Sequence, residues 1–119
     1  MKSENSYIDR TLASRNMSKQ HEYENLQFMM LVQATVGGIH PLIRAIRMRC
    51  VEEVVHIYFE IDEKDEDVLE ALWEIEEEWC AYQVTNVPFE RHLQVSKANT
   101  FLGEQQARSI YVRYDNSHA

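Results

Sequence analysis

The sequence has few of the residues on which several specialised protein classes depend. Its 119 residues include three glycines, two prolines and two cysteines. So little glycine leaves almost no material for a phosphate-binding loop, and the Walker, GxGxxG, GxSxG and HExxH motifs do not occur. Nucleotide-dependent enzymes are therefore disfavoured.

Long apolar runs are also missing. The chain has no stretch of eighteen consecutive apolar residues, and its start, MKSENSYIDR, lacks the apolar segment of a secretion signal. We therefore expect no membrane span and predict a cytoplasmic location. Cys50 and Cys80 lack the CxxC spacing of metal sites and lie within apolar patterns, which predicts buried thiols in a reducing compartment rather than a disulfide.

Positive charge is the scarcer sign. Twelve Lys and Arg residues stand against twenty Asp and Glu residues, giving a net charge of −8 and a sequence pI near 5.0. Such a field repels phosphate backbones and anionic lipids and attracts basic surfaces. We therefore expect no direct nucleic-acid or membrane partner, whereas a basic protein partner fits.

The composition that remains is that of one folded domain. Hydrophobic residues make up 45% of the chain and aromatic residues 10%, which is ordinary for a globular protein. Residues 1–20 are polar and weakly periodic, so we predict a flexible N-terminal arm or a frayed helix there. Residues 21–115 are predicted to form a single α+β domain, and residues 116–119 a C-terminal tail.

Periodicity predicts the first helix and the first pair of strands. A helix is expected over Tyr23–Val36, ended by Gly37 and Gly38. Residues 42–50 and 54–61 are expected to form an antiparallel hairpin joined through Glu52 and Glu53. The apolar positions expected to face the core are, in the helix, Leu26, Met29, Met30, Val32 and Val36 and, in the second strand, Val55, Ile57, Phe59 and Ile61.

A second helix and two further strands follow. The helix is predicted from apolar residues at three- and four-residue steps, namely Val68, Leu72, Ile75, Trp79 and Tyr82. Alternation predicts strands over residues 89–95 and 110–114, with a long link over 96–107. The order α-β-β-α-β-β predicts an α+β fold with an antiparallel sheet of about four strands and both helices packed on one face.

The second helix is unusually acidic. The segment DEKDEDVLEALWEIEEEW, residues 62–79, contains ten carboxylates. Those before and in the first turn are favoured by the helix dipole, but the outward positions need another explanation. They form either a solvated surface or a site for a basic partner, in which Trp73 would be the aromatic anchor. The predicted partner-binding residues are Asp65, Glu66, Asp67, Glu70, Trp73, Glu74, Glu77 and Glu78.

Other candidate chemistry is weaker. An EF-hand starting at Asp65 fails because its sixth position is Glu70 instead of glycine. We predict no metal site, no cofactor and no catalytic residue. His56 and His92, with an arginine nearby, would suit a nuclease or hydrolase only if the fold brought the two rings into one cleft. The arginines of the predicted strands are expected to pair with carboxylates.

Three segments together resemble a known family. They are Gly38-Ile39-His40-Pro41-Leu42-Ile43-Arg44-Ala45-Ile46, His56-Ile57-Tyr58-Phe59-Glu60-Ile61-Asp62 and Asp65-Glu66-Asp67. They are similar to segments of small bacterial proteins encoded beside polymorphic toxins, the immunity proteins of contact-dependent growth inhibition. The resemblance covers residues 26–82 and implies a protein that neutralises a cognate toxin domain in the cytoplasm. It transfers no catalytic residues.

These inferences combine into one prediction with two alternatives. The prediction is a non-enzymatic immunity protein that binds the C-terminal domain of a cognate toxin, a nuclease for instance, through its acidic surface. One alternative is a small nuclease or hydrolase using His56 and His92. The other is a regulatory adaptor or homodimeric binding module, since apolar edge strands would allow two chains to pair.

Overall fold

In the part of the chain that a computed structural model describes, two helices and four strands follow one another in the predicted order. Their bounds are α1 Lys2–Thr35, β1 Ile43–Val51, β2 Val54–Ile61, α2 Glu66–Ala81, β3 Phe89–Val95 and β4 Arg108–Val112. The structure describes the backbone of residues 2–96 and 107–113 and the side chains of residues 19–96 and 107–113. The predicted α+β class is confirmed.

The four strands form a mixed sheet in the order β3-β2-β1-β4. β1 is antiparallel to both β2 and β4, but β2 and β3 are parallel, so the prediction of a wholly antiparallel sheet is wrong. The reason is a match of lengths. The 16 residues of α2 rise by about 24 Å, close to the length of the eight-residue β2, so the helix returns the chain to the end of the sheet where β2 began.

The β1–β2 hairpin closes through an unusual turn. Val51 pairs with Val54, and the two turn residues, Glu52 and Glu53, have φ angles of 49° and 68°. Two-residue hairpin turns need positive φ because this matches the twist of the strands, and Asn-Gly is the usual sequence. A glutamate with such a positive φ angle is disfavoured by about 1 kcal/mol, because its Cβ atom approaches the following carbonyl oxygen. The strands therefore hold the turn in place.

One core cluster lies between the sheet and the two helices. Val55, Ile57, Phe59 and Ile61 of β2 are fully buried, as predicted. The predicted stripe of α2 packs against them, and α1 contributes to the same cluster on the same face of the sheet. The residues that α1, β1 and α2 add to the cluster are Leu31, Ala34, Ile43, Ile46, Met48, Val68, Leu72, Ile75 and Trp79.

The predicted buried face of α1 is wrong. Met30 is half-buried, but the other four predicted positions are exposed, namely Leu26, Met29, Val32 and Val36. The helix instead buries Gln27, Leu31 and Ala34. The Gln27 amide exchanges hydrogen bonds of 3.0 and 2.8 Å with the amide of Gln83, just after α2. These hydrogen bonds offset the free-energy cost of burying the Gln27 amide. The pattern of apolar residues in α1 did not indicate that Gln27 would be buried.

The N-terminal segment belongs to the first helix. α1 begins at Lys2, so the segment predicted as an arm or frayed helix has a helical backbone. The division into arm, domain and tail stays a prediction; residues 97–106 of the link and the tail over 116–119 lie outside the described residues. Within the described part of the chain, neither helix is long and apolar enough to cross a membrane.

The two cysteines are free but differ in environment. Cys50 is half-buried, and burial, reinforced by Glu24, raises the pKa of its thiol to about 12. Cys80 is exposed, so the prediction of two buried thiols is wrong there. Cys80 lies seven residues after Trp73 and therefore on the same outward side of α2.

Candidate functional site

The acidic helix starts at a well-formed N-cap. Asp65 has an extended backbone, and its side chain accepts a hydrogen bond of 2.8 Å from the backbone N–H of Asp67. Glu66 and Asp67 occupy the first turn, where the positive end of the helix dipole stabilises carboxylates. These three charges thus help to form the helix, whatever else they bind.

The structure brings all of the predicted partner-binding residues to one exposed surface. We call this surface the acidic face of α2; its members are Asp65, Glu66, Asp67, Glu70, Trp73, Glu74, Glu77 and Glu78. At about 100° per residue, Glu66, Glu70, Trp73 and Glu77 lie within roughly 60° of one another around the helix. Glu74 and Glu78 extend the face toward the end of α1, where they line a concavity together with Gln33.

The two tryptophans of α2 have opposite environments. Trp79 is fully buried and meets Phe89 edge-on, with ring centroids 5.3 Å apart. Trp73 is 55% exposed and lies among the outward carboxylates. A large exposed aromatic ring among like charges is a typical binding anchor, because it offers apolar area at low entropic loss.

Both borders of the acidic face are tied to the rest of the protein. On one side, the Tyr82 hydroxyl donates a hydrogen bond of 3.0 Å to Glu78. On the other, Glu76 is only 5% exposed and accepts two hydrogen bonds from the guanidinium of Arg91 on β3, the one from Nε being 2.9 Å long. The Glu76 carboxylate, through this hydrogen bonding, raises the pKa of Arg91. These contacts hold α2 at a fixed position on the sheet.

Sequence reasoning left Glu76 out of both the core and the site. Its signal was present: Glu76 lies four residues after Leu72 and three before Trp79, at the border of the apolar stripe. A buried carboxylate needs a cationic partner, and Arg91, which is itself partly exposed, provides it. The expected pairing of strand arginines with carboxylates is confirmed here.

Three further arginines, Arg44, Arg108 and Arg113, also meet carboxylates. Arg44 and Arg113 both donate to the Asp62 carboxylate at the end of β2, at 2.7 and 2.8 Å. Hydrogen bonding from Arg113, with a smaller contribution from Arg44, lowers the pKa of Asp62. Arg108 lies 3.8 Å from Glu24 and stacks over the Phe28 ring. Asp62 is therefore a structural anion and does not belong to the acidic face.

The histidines of the alternative hypothesis meet on the opposite face of the sheet. β2 and β3 run in parallel with Tyr58 opposite His92 and His56 opposite Glu90. Nδ1 of His56 lies 2.9 Å from Nε2 of His92. The Tyr58 ring stacks on His92, with centroids 4.6 Å apart. The two rings thus meet on a face turned away from the helices, which fulfils only part of what the hydrolase alternative required, because that alternative also needed a cleft.

The same neighbourhood contains the residues best suited to hold a metal. Within the described side chains, His56, Glu90 and His92 offer ligand atoms that all lie within 4.8 Å of one another. Sequence reasoning assigned no metal site and did not single out Glu90. Its spacing from His92 was a usable signal, because residues two apart on a strand share a face. The sequence contained no comparable signal for the parallel pairing of β2 and β3, which brings His56 to these two residues.

No protein-family model matches the chain, and no curated protein matches it.

Proposed function

We propose that this protein is an immunity protein that binds and neutralises the C-terminal domain of a cognate antibacterial toxin through the acidic face of α2. The observation that carries the proposal is that all eight predicted contact residues are exposed on one surface, with Trp73 among the carboxylates. The family resemblance of residues 26–82 agrees with this role. The proposed location is the cytoplasm.

The charge of the surface favours one kind of partner. Seven of the twenty acidic residues lie on the acidic face of α2, so negative charge is concentrated on this surface. Such a field accelerates encounter with a basic surface and weakens as salt screens it. A nuclease toxin fits this partner because the cleft that binds its nucleic-acid substrate must be basic. An acidic inhibitor presents negative charges to that cleft in place of the phosphates of the substrate.

Trp73 supplies what charge alone does not. Exposed ion pairs contribute between zero and about 1 kcal/mol each, whereas a buried tryptophan at an interface contributes 2 kcal/mol or more. Carboxylates around Trp73 would orient the partner while the indole ring is buried against it. We therefore expect Trp73→Ala to lower affinity about 30-fold or more while changing the association rate little.

The decisive experiment compares two triple substitutions with equal charge. Glu70→Lys/Glu74→Lys/Glu77→Lys reverses the acidic face, and Glu22→Lys/Glu52→Lys/Glu63→Lys reverses three exposed carboxylates elsewhere. The partner is first captured from the native strain with the tagged wild-type protein at about 0.3 M salt, a concentration that screens long-range attraction. Protection of growth against that toxin is then measured for both variants.

The proposal requires a specific pattern of results. The acidic-face variant should lose protection and the control variant should keep it. Equal protection by both variants would remove the acidic face from the interface. Capture of a partner other than a toxin would instead favour the adaptor alternative, and capture of a second copy would favour the homodimer.

The convergence of His56 and His92 favours a second candidate, a small nuclease or hydrolase. Paired imidazoles at 2.9 Å suit proton transfer. Two concavities, of about 490 and 330 Å³, are lined by other residues, so the pair lies outside both. Turnover of RNA or DNA by the wild-type protein, abolished in His56→Ala/His92→Ala, would establish this activity. Absence of turnover by the wild type would exclude it.

A further inference from the structure

Three ligand-type atoms meet on the face of the sheet opposite the helices. Nδ1 of His56 lies 2.9 Å from Nε2 of His92 and 3.5 Å from Oε2 of Glu90. The same Glu90 oxygen lies 3.8 Å from Nε2 of His92. One atom of each side chain thus forms the corner of a small triangle.

The size of this triangle matches the coordination of zinc. A triangle with these three edges has a circumscribed radius of about 2.0 Å, so a single point lies that far from all three atoms. Zinc binds imidazole nitrogen and carboxylate oxygen at about 2.0–2.2 Å. In tetrahedral geometry such bonds separate neighbouring ligand atoms by about 3.4 Å, which is also about the mean of the three edges.

The backbone holds the three side chains in this arrangement. His56 and Glu90 are direct partners in the parallel ladder, and His92 lies two residues along the same strand. Tyr58 stacks on the His92 ring and lies 6.4 Å, centroid to centroid, from the His56 ring. The ligands therefore lie on two paired strands and need no loop to be ordered around the ion.

A hydrogen bond between the two imidazoles is the other interpretation of the 2.9 Å distance. Such a hydrogen bond explains only the distance between the two imidazole nitrogens. It does not require a carboxylate oxygen at nearly the same distance from both nitrogens, whereas a three-ligand site does. The position of Glu90 therefore favours the metal interpretation.

We propose that His56, Glu90 and His92 bind one divalent transition-metal ion of the zinc type. Two imidazole nitrogens and one carboxylate oxygen are the ligand set of open zinc sites, which leave a fourth position to water or a substrate. The side chains of Glu90 and His92 are 62% and 41% exposed, so the site is accessible from solvent. The proposal is independent of the immunity function, because it uses the opposite face of the sheet.

Isothermal titration calorimetry tests the site directly. The untagged protein is first treated with a chelator and is then titrated with Zn²⁺. The wild type should bind one equivalent. His56→Gln, His92→Gln and Glu90→Gln should each weaken binding at least tenfold, and His56→Gln/His92→Gln should abolish it. The ring-nitrogen NMR signals of His56 and His92 should shift with the first equivalent of Zn²⁺.

Matched controls separate this site from other ligands. His21→Gln removes an exposed histidine of α1, and Cys50→Ser/Cys80→Ser removes both thiols; each should leave the affinity unchanged. Circular dichroism tests whether the His56→Gln/His92→Gln variant is folded. Zinc affinity retained in that folded double variant, or lost in the cysteine variant, would overturn the proposal, as would a wild type that binds no Zn²⁺.

Discussion

The two faces of the molecule assemble their polar groups in different ways. On the acidic face of α2, carboxylates come from successive turns of one helix, and each projects into solvent. On the opposite face, His56 and His92 are 36 residues apart in the chain and meet at 2.9 Å because β2 and β3 pair. The first surface depends on local periodicity and the second on the register of two strands. Substitutions that affect one face and spare the other test this difference.

The largest effect is expected from the two tryptophans of α2, which allow the same substitution on opposite sides of one helix. Trp79→Ala should lower the free energy of unfolding by about 4 kcal/mol, because it empties a fully buried site in the shared core. Trp73→Ala should change it by less than about 0.5 kcal/mol, since the ring is exposed. Urea unfolding of both variants measures the contrast. Similar losses would contradict the assignment of the two faces.

Next in size is the tie between α2 and β3. Glu76→Gln replaces the buried acceptor of Arg91 and should lower the free energy of unfolding by about 2 kcal/mol. Glu77→Gln, one residue further on the exposed side, should leave it unchanged within about 0.5 kcal/mol. Chemical denaturation at pH 7 compares them. An equal response of both positions would mean that the pairing with Arg91 does not hold α2 on the sheet.

A smaller, opposite effect is expected at the β1–β2 turn. Glu52→Asn/Glu53→Gly suits the positive φ angles and should raise the free energy of unfolding by about 1 kcal/mol. Glu52→Gln/Glu53→Gln removes the same charges without relieving the backbone, so it should give little or none of this gain. Thermal unfolding distinguishes the two double variants. A gain of the same size in both would assign the effect to charge instead of conformation.

An effect no larger than that of the turn concerns Asp62, where pH is the variable. Because Arg113 and Arg44 lower its pKa in the folded state, Asp62 stabilises the protein above the unfolded pKa of about 3.9, and this stability is lost as pH falls through the folded value. Asp62→Asn should therefore remove about 1 kcal/mol at pH 7 and flatten the decline in acid. Glu63→Gln, an exposed neighbour, should keep the wild-type slope. Denaturation between pH 2 and pH 7 compares the three proteins.

Sequence reasoning was most accurate where burial follows a regular period over one element. The buried apolar residues of α2 and β2 were all predicted, because each element has one apolar side and one mainly polar side. It was inaccurate on α1, where apolar residues such as Leu26 and Met29 lie on the exposed side and Gln27 on the buried one. There the pattern had two competing faces, and contact with α2 selected one.

The sequence by itself determined the order of elements, the α+β class and the exposure of all eight residues of the acidic face, because these follow from periods of 2 and 3.6 residues within single elements. Only the tertiary structure decided that β3 joins β2 in parallel, that Glu76 meets Arg91, and that His56, Glu90 and His92 lie together. These contacts join residues from different elements. They form only because α2 carries the chain back along the sheet and the edge of β2 is then free to pair with β3. The pattern of residues within a single element predicts neither of these conditions.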